Sequence, residues 1–402
     1  MVTDEVLPPM PQFVSKTEGK PEVPLWDRPE PTKEDLDRAD LRTLDLSVLD
    51  GTLEQQAELV ETTRQAIQED SFLYVKNFGM TEQQLDRHFA LAQYSGTFKG
   101  YKPRVGWGEV KGKRDQIEHF NWYQSHFDDP ESVPQRMLPF IDETKGFSDV
   151  NTPPKYPCLL SIGPTDTIPQ QHMANQVNRR LLVLLSRVLG MPDNLLWTKV
   201  SARGSGSEAL PGTSYHRHMV YHGWELKEYE ESSLIMHGHT DFGTLTLLPS
   251  QPVSCLQILS ADNKWRWVKY EPGRLCVNLG DALEVISGGQ FKATRHKVTK
   301  PPRDQMTANR IGLIIFNHAR ADMRMEPLLD TPLLQEKGLN KKSDVFGAFC
   351  ERIDNGLEIP TYAEWKTIRT QGAQAIPEKI VEINGAKHKE QVFNGTKLLM
   401  VI

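Results

Sequence analysis

The stretch His237–Leu248, HGHTDFGTLTLL, sets two imidazoles and a carboxylate ahead of an alternating apolar run. It can be read as a histidine-rich polar turn or as most of a metal site. On an extended chain, residues i and i+2 point to the same side, so His239 and Asp241 can grip one ion. His237 shares that parity and is a rival to His239, but no carboxylate stands two positions beyond it. A His-x-Asp tripeptide alone is weak evidence. The decision rests on whether a third donor lies downstream where a folded sheet can bring it back.

Such a donor stands in GGQFKATRHKV, which places His296 at the start of a predicted strand. The chain between Asp241 and His296 is long enough for several strands to go out and return. From about residue 213 it consists of short runs broken by Gly, Pro, Asn and Asp. TLTLLP, CLQILS, WRWVKY, LCVNLGD, LEVISGG, HKVTKP and RIGLIIFN are each predicted as strands. Many short strands at close spacing predict a sandwich or jelly roll, which makes sequence-distant strands neighbours. Two imidazoles and one carboxylate on one face of an octahedral ion leave three positions open, the facial triad of non-heme Fe(II) chemistry.

Outward from this block the chain reads as α+β, a double-stranded β-helix (jelly-roll) core flanked by helices. Residues 1–38 form a Pro- and charge-rich arm with no core of its own. Residues 39–200 are a helical and strand region. DLRTLDLSVL suits a strand, Thr52 opens a helix, SFLYVKNFG is a strand closed by glycine, and Thr81 with Gln84 has capping-box spacing. MANQVNRRLLVLLSRVLG is the best-defined helix, stopped by Gly190. Residues 201–327 are the jelly-roll catalytic region, and 328–402 a charged helical tail packed on the core, ending in strand-like NGTKLLMVI.

Composition narrows the partners. Lys+Arg 47 against Asp+Glu 53 gives a net charge of -6 with no basic stripe, so a nucleic-acid partner is not expected. The N-terminus lacks the basic and apolar regions of a secretory signal, and no apolar run approaches a membrane span. Cys158, Cys255, Cys276 and Cys350 form no CxxC pair and read as buried thiols in a reducing compartment, so a cytoplasmic location is expected.

With these motifs in place, the sequence resembles the isopenicillin N synthase-like Fe(II)/2-oxoglutarate-dependent oxygenases, which include plant and fungal natural-product enzymes. LRTLDLSVLDG is similar to that family's opening strand, FLYVKNFG to its glycine-ended strand, and RRLLVLLSRVLGM to its long helix. HTDFGTLTLL and VNLGDALEVISGGQFKATRHKV resemble its metal block most closely, and PTYAEWKTIR resembles its tail. The likeness runs from about residue 40 to about residue 370 and leaves the N-terminal arm outside.

The resemblance implies iron ligands at His239, Asp241 and His296, with 2-oxoglutarate as co-substrate and dioxygen as oxidant. It implies a 2-oxoglutarate-binding arginine at Arg310 in NRIGLIIF, where a guanidinium can grip a carboxylate with two parallel hydrogen bonds. Tyr221 is the candidate for the tyrosine that contacts the co-substrate, while His216 and His218 read as surface or pocket lining rather than ligands. The expected reaction is oxidation of a C–H bond of a small molecule in secondary metabolism, by hydroxylation, desaturation, or oxidative cyclisation or rearrangement. The sequence departs from the family pattern twice. Arg310-Ile311-Gly312 replaces Arg-x-Ser, and the stretch from His296 to Arg310 is longer than usual, which makes Arg303 a conceivable substitute for Arg310.

The substrate is expected to be apolar or aromatic. Candidate pocket residues are Tyr101 and Arg104 in GTFKGYKPRVGWGEV, Phe120 and Trp122 in EHFNWYQSHF, and Phe316 by strand alternation. The alternatives are an iron oxidase or cyclase of the same fold that does not use 2-oxoglutarate, suggested by Gly312, or a non-catalytic jelly-roll ligand-binding protein. A zinc hydrolase is disfavoured because no His-Glu-x-x-His helix is present. Oligomeric state is not legible in the sequence.

Overall fold

The short runs of the second half form two facing sheets, with the first half supplying edge strands and the helices that cover one of them. A computed structural model describes residues 9, 10, 12, 19–95, 101–102, 116–123, 133, 135–148, 172–201, 214–231, 234–374, 379–383, 386–393 and 396–401. The strands are β1 (Thr43–Asp45), β2 (Phe72–Lys76), β3 (Tyr101–Lys102), β4 (Ile117–Trp122), β5 (Tyr215–Tyr221), β6 (Leu234–His239), β7 (Leu245–Pro249) and β8 (Leu256–Leu259). They continue with β9 (Trp265–Trp267), β10 (Leu275–Leu279), β11 (His296–Thr299), β12 (Arg310–Phe316), β13 (Lys379–Ile383), β14 (Ala386–Phe393) and β15 (Thr396–Val401).

The major sheet has the order β1-β2-β10-β7-β12-β5-β4-β3 and the minor sheet β13-β14-β15-β6-β11-β8-β9. Apart from the parallel β1–β2 pair, the ladders are antiparallel. Apolar clusters bridge the sheets: Ile117, Met219, Tyr221 and Ile314 meet Val298, and Phe72, Tyr74 and Cys276 meet Ile258. This is the jelly-roll core of an α+β fold.

The other face of the major sheet is covered by helices. Thr52 caps the helix Leu53–Glu69 in a reciprocal box with Gln55, and Thr81 and Gln84 make the same exchange at the next helix. The helix Asn178–Val188 buries Leu181, Leu182, Leu184, Leu185 and Val188 in the largest cluster. Each such side chain contributes roughly 1.5–3 kcal/mol of transfer free energy.

Two predicted strands are formed differently. DLRTLDLSVL is extended only over Thr43–Asp45, because the Asp45 carboxylate accepts the Ser47 N–H and starts a 3-10 turn, Leu46–Asp50. LEVISGG is not a strand: Asp281–Ile286 is helical, ended by Gly288 and Gly289 at positive φ. All six residues of this helix are buried, so no exposed position breaks the apolar run and its periodicity is hidden. Within the helix, Glu284 accepts the backbone N–H groups of Ala293, Val345 and Phe346, which ties the helix Asp344–Asp354 of the tail to the core.

His216 and His218 correct another expectation. They are neither surface nor pocket residues but lie buried on the helix-facing side of β5, next to each other and to Phe147 and Trp122. Burial pulls the His218 imidazole down to about 3; burial, with His218 and His88 adding to it, holds His216 well below its ordinary value. Both are therefore neutral in the folded state, while in the unfolded chain they take up protons near pH 6.5. From about pH 6.5 down towards 3 the unfolded state binds more protons, so stability falls on acidification, by at most about 1.4 kcal/mol per pH unit per imidazole. Urea unfolding at pH 7, 6 and 5 is expected to show this loss, and His218→Phe to flatten it. Equal pH slopes for the two proteins would refute the assignment.

The N-terminal arm is anchored on the long loop between β11 and β12. Thr32 and Lys33 donate to Asp304, Glu34 accepts the Arg303 N–H, and Arg28 pairs with Glu82 and Asp86. Cys255, Cys276 and Cys350 are free and buried, and Cys158 lies outside the described residues. No helix among the described residues is long and apolar enough to cross a membrane.

Candidate metal and co-substrate site

β6 and β11 are adjacent antiparallel strands whose register puts His239 directly opposite His296. Their rings lie 4.4 Å apart, centroid to centroid. Two residues beyond His239, the turn carries Asp241 back towards both: its Oδ1 is 3.9 Å from His239 Nε2 and 3.8 Å from His296 Nε2. Two bonds of about 2.1 Å span up to roughly 4.2 Å, so one ion can bridge each of these pairs. Among the described residues this is the one group of three such donors that could hold a metal ion.

The surroundings orient each donor. Asp241 Oδ2 accepts hydrogen bonds from Thr246 Oγ1 at 2.6 Å and Asn278 Nδ2 at 2.9 Å, leaving Oδ1 turned to the imidazoles. Burial on its own would push this carboxyl up; His296 and His239 beside it, then Thr246 and Asn278, bring it below its ordinary value. Asp241 is thus an anion at neutral pH. His296 Nδ1 lies 3.2 Å from the Thr294 carbonyl, which can only accept; Nδ1 therefore carries the proton and the Nε2 lone pair faces the site. The backbone of the turn is held by Asp281 N–H donating to Asp241 O and Gly280 N–H to Thr244 O. A Cβ on Gly280 would lie 2.5 Å from Gly243 O and 2.8 Å from Asp241 O, so only glycine fits there.

One contributor was quoted in the sequence but given no role. Arg369, last residue of PTYAEWKTIR, sits on the helix Tyr362–Gln374 and reaches the residue between the two upstream donors. Its Nη2 donates to Thr240 O at 3.0 Å and Thr240 Oγ1 at 2.9 Å, while Nε pairs with buried Asp281 at 2.9 Å. A tail arginine matched to a buried Asp following the strand LCVNL was the available signal.

Arg310 lies further along the same interior. Strand alternation turns Arg310, Gly312, Ile314 and Phe316 to one face of β12, opposite Tyr221, Met219, Arg217 and Tyr215 of β5. The Arg310 guanidinium is buried, 4.6 Å from the centre of the Tyr221 ring, and its Nε has no hydrogen-bond partner. A buried cation with an open donor fits a site for an incoming carboxylate. Gly312 leaves this face without a hydroxyl, and the space is filled from across the ladder: a Cβ there would sit 3.1 Å from Met219 Cβ. Arg303 is far from this interior; it is exposed and 3.9 Å from Glu230, which removes it as a substitute.

The pocket candidates separate by strand face. Phe316 is on the interior face, its ring tilted against that of Tyr215 with centroids 4.9 Å apart. Phe120 and Trp122 are not pocket walls: they pair with His218 and His216 and are buried with Met137 and Phe140 on the helix side of β4. Their neighbour Asn121 is the one on the interior face, across from Arg217. Tyr101 lies on β3; its side chain and Arg104 lie outside the described residues. His237 is on β6, and its side chain is also outside them.

Residues 215–319 match the family model of the 2OG-Fe(II) oxygenase superfamily. The chain is 25% identical over 302 residues to jasmonate-induced oxygenase 3 of Arabidopsis thaliana, covering 69% of this chain and 73% of that one. It is 24% identical over 311 residues to a homoarginine-6-hydroxylase of Oryza sativa subsp. japonica, covering 71% and 87%. Among solved structures, a full-length Neurospora crassa protein in complex with alpha-KG and thymine superposes with a TM-score of 0.61 at 15% identity, covering 84% of this chain and all (100%) of that one. JOX2 in complex with 2OG, Fe and JA gives 0.53 at 20% identity, covering 84% and 92%. At such identities the superpositions speak for the fold alone. The sequence match spans β5 to β12 and takes in His239, Asp241, His296 and Arg310; this chain is an enzyme whose residues 215–319 match the 2OG-Fe(II) oxygenase superfamily.

Proposed function

We propose that His239, Asp241 and His296 hold Fe(II), that Arg310 and Tyr221 receive the distal carboxylate of 2-oxoglutarate, and that the enzyme oxidises a C–H bond of a small apolar or aromatic molecule of secondary metabolism. The observation that carries this reading is the convergence of three donors on one point, with the second oxygen of Asp241 already bonded by Thr246 and Asn278. When bound, iron and 2-oxoglutarate with dioxygen supply the oxidising power for C–H cleavage.

The chain's own residues bind and orient. Asp241 contributes the single negative charge of the donor set, and the Thr294 carbonyl fixes the His296 tautomer. Arg310, on the opposite sheet, selects a co-substrate with an anionic far end, and Tyr221 keeps that end dry and stacked. A cytoplasmic location belongs to the same reading and is supported by three buried free thiols. Of the relatives' names, one gives an inducer, jasmonate, and the other a substrate, homoarginine, so likeness alone does not select the substrate or the outcome of C–H cleavage.

The test is anaerobic. Protein reconstituted with Fe(II) and titrated with 2-oxoglutarate is expected to develop the visible charge-transfer absorption of the chelated keto acid, saturating at one equivalent of iron. Iron binding with no such band would favour an oxidase that does not use 2-oxoglutarate. Failure to bind iron would remove the metal assignment itself.

A further inference from the structure

The interior face of β5 carries a second guanidinium. Arg217 lies four residues before Tyr221, hence roughly 13 Å along the strand from the Arg310–Tyr221 pair. Its Cζ is 5.4 Å from the Tyr215 ring centre and 5.2 Å from that of Phe316. Its Nε donates to Asn121 Oδ1 at 2.7 Å, and Asn121 in turn donates to the Tyr123 hydroxyl at 2.9 Å. The group is thus fixed in plane and direction by two aromatic faces and one amide.

No carboxylate among the described residues pairs with Arg217, whereas Arg28, Arg42, Arg187, Arg266, Arg320 and Arg369 each have one. The side chain is only partly buried, as are Asn121 and Phe316, and Tyr123 is exposed. The terminal nitrogens therefore open on the accessible end of the interior. The location is next to the metal site, because Phe316 stands opposite Thr246, the residue whose hydroxyl bonds Asp241.

A rigid planar fork with unused terminal donors is suited to a carboxylate, which it meets with two parallel hydrogen bonds. Two aromatic rings next to each other beside the guanidinium favour an apolar body behind that carboxylate. The roughly 13 Å of strand leaves the 2-oxoglutarate position at Arg310 separate from this one. We infer that Arg217 anchors the carboxylate of the substrate, so that the enzyme acts on a small organic acid whose apolar or aromatic part lies along Tyr215 and Phe316. This inference rests on the proposed oxygenase reading of the same site.

The experiment uses the full chain, loaded anaerobically with Fe(II) and 2-oxoglutarate. Benzoate, phenylacetate, cinnamate and octanoate, each beside its primary amide, are titrated by ligand-observed NMR. At least one acid is expected to bind ten-fold or more tightly than its amide. Arg217→Gln is expected to erase that preference while the 2-oxoglutarate titration stays within two-fold, and Arg217→Lys to keep only part of it, since charge survives but the fork does not. If Arg217→Gln does not load 2-oxoglutarate, Asn121→Ala replaces it, with an expected loss of acid preference of three-fold or more. Acids binding no better than amides, or a preference that survives these variants, would overturn the inference. A wild-type protein that never shows the iron–2-oxoglutarate band would instead bring down the proposed function, so the two failures are distinguishable.

Discussion

Asp241→Ala is expected to lower 2-oxoglutarate-dependent succinate formation at least ~1000-fold, about 4 kcal/mol of transition-state stabilisation, with the fold intact. Among the described residues, Asp241 Oδ1 is the carboxylate oxygen that completes the three-donor group with the two imidazoles, at 3.8–3.9 Å, while Oδ2 is taken by Thr246 and Asn278. Without it, two neutral imidazoles remain, a set with no charge to offset that of a divalent ion. The thermal midpoint should fall modestly, because the variant leaves the buried Thr246 hydroxyl and Asn278 amide without their acceptor. A bound-iron assay, circular dichroism and the thermal midpoint check the three parts. An Asp241→Ala protein that keeps one iron and normal turnover would remove the triad assignment. His296→Ala is expected to behave alike, with one difference: Phe72, whose ring meets the His296 ring edge-on, also loses a packing partner.

Arg310→Ala should act on a different quantity. Iron binding is expected to stay as in the wild type, while the dissociation constant for 2-oxoglutarate rises 30-fold or more. Hydrogen bonds to charged groups contribute about 1.5–3 kcal/mol each, and this guanidinium is buried with an unpartnered Nε beside Tyr221. The anaerobic band titration reads both: its amplitude reports iron and its midpoint reports the co-substrate. Arg310→Lys should recover only part of the affinity, since a point charge replaces a planar fork. An unchanged midpoint in Arg310→Ala would move the co-substrate's anchor elsewhere and return weight to an enzyme that does without 2-oxoglutarate.

Much of the site was legible because its logic is local. The i, i+2 relation of His239 and Asp241 and the strand start at His296 are sequence features, and antiparallel pairing of β6 with β11 does the rest. Caps at Thr52 and Thr81 were readable for the same reason. Three kinds of information were not. Which face of a strand looks inward depends on its partners, so Phe120 and Trp122 were taken for pocket walls while Asn121 between them holds Arg217. Full burial hid the helical period of Asp281–Ile286. Polar residues at long sequence separation, such as Arg369 on Thr240 and Asp281, become neighbours only when the tail docks. Strand face also accounts for His216 and His218, which read as surface or pocket lining; here rings pack around them on the helix side.

The pairing of β15 with β6, where Val401 meets Gly238, bears on how the protein is made. A ribosome adding about 5–20 residues per second needs roughly 10–30 seconds to pass from residue 238 to residue 401. Through that interval the strand that ends in His239 has at least one open edge, with backbone donors and acceptors available to any other extended chain nearby. Truncating the chain before β15 would make that interval permanent, so shortened versions are expected to accumulate as aggregates during expression even though every metal donor is present.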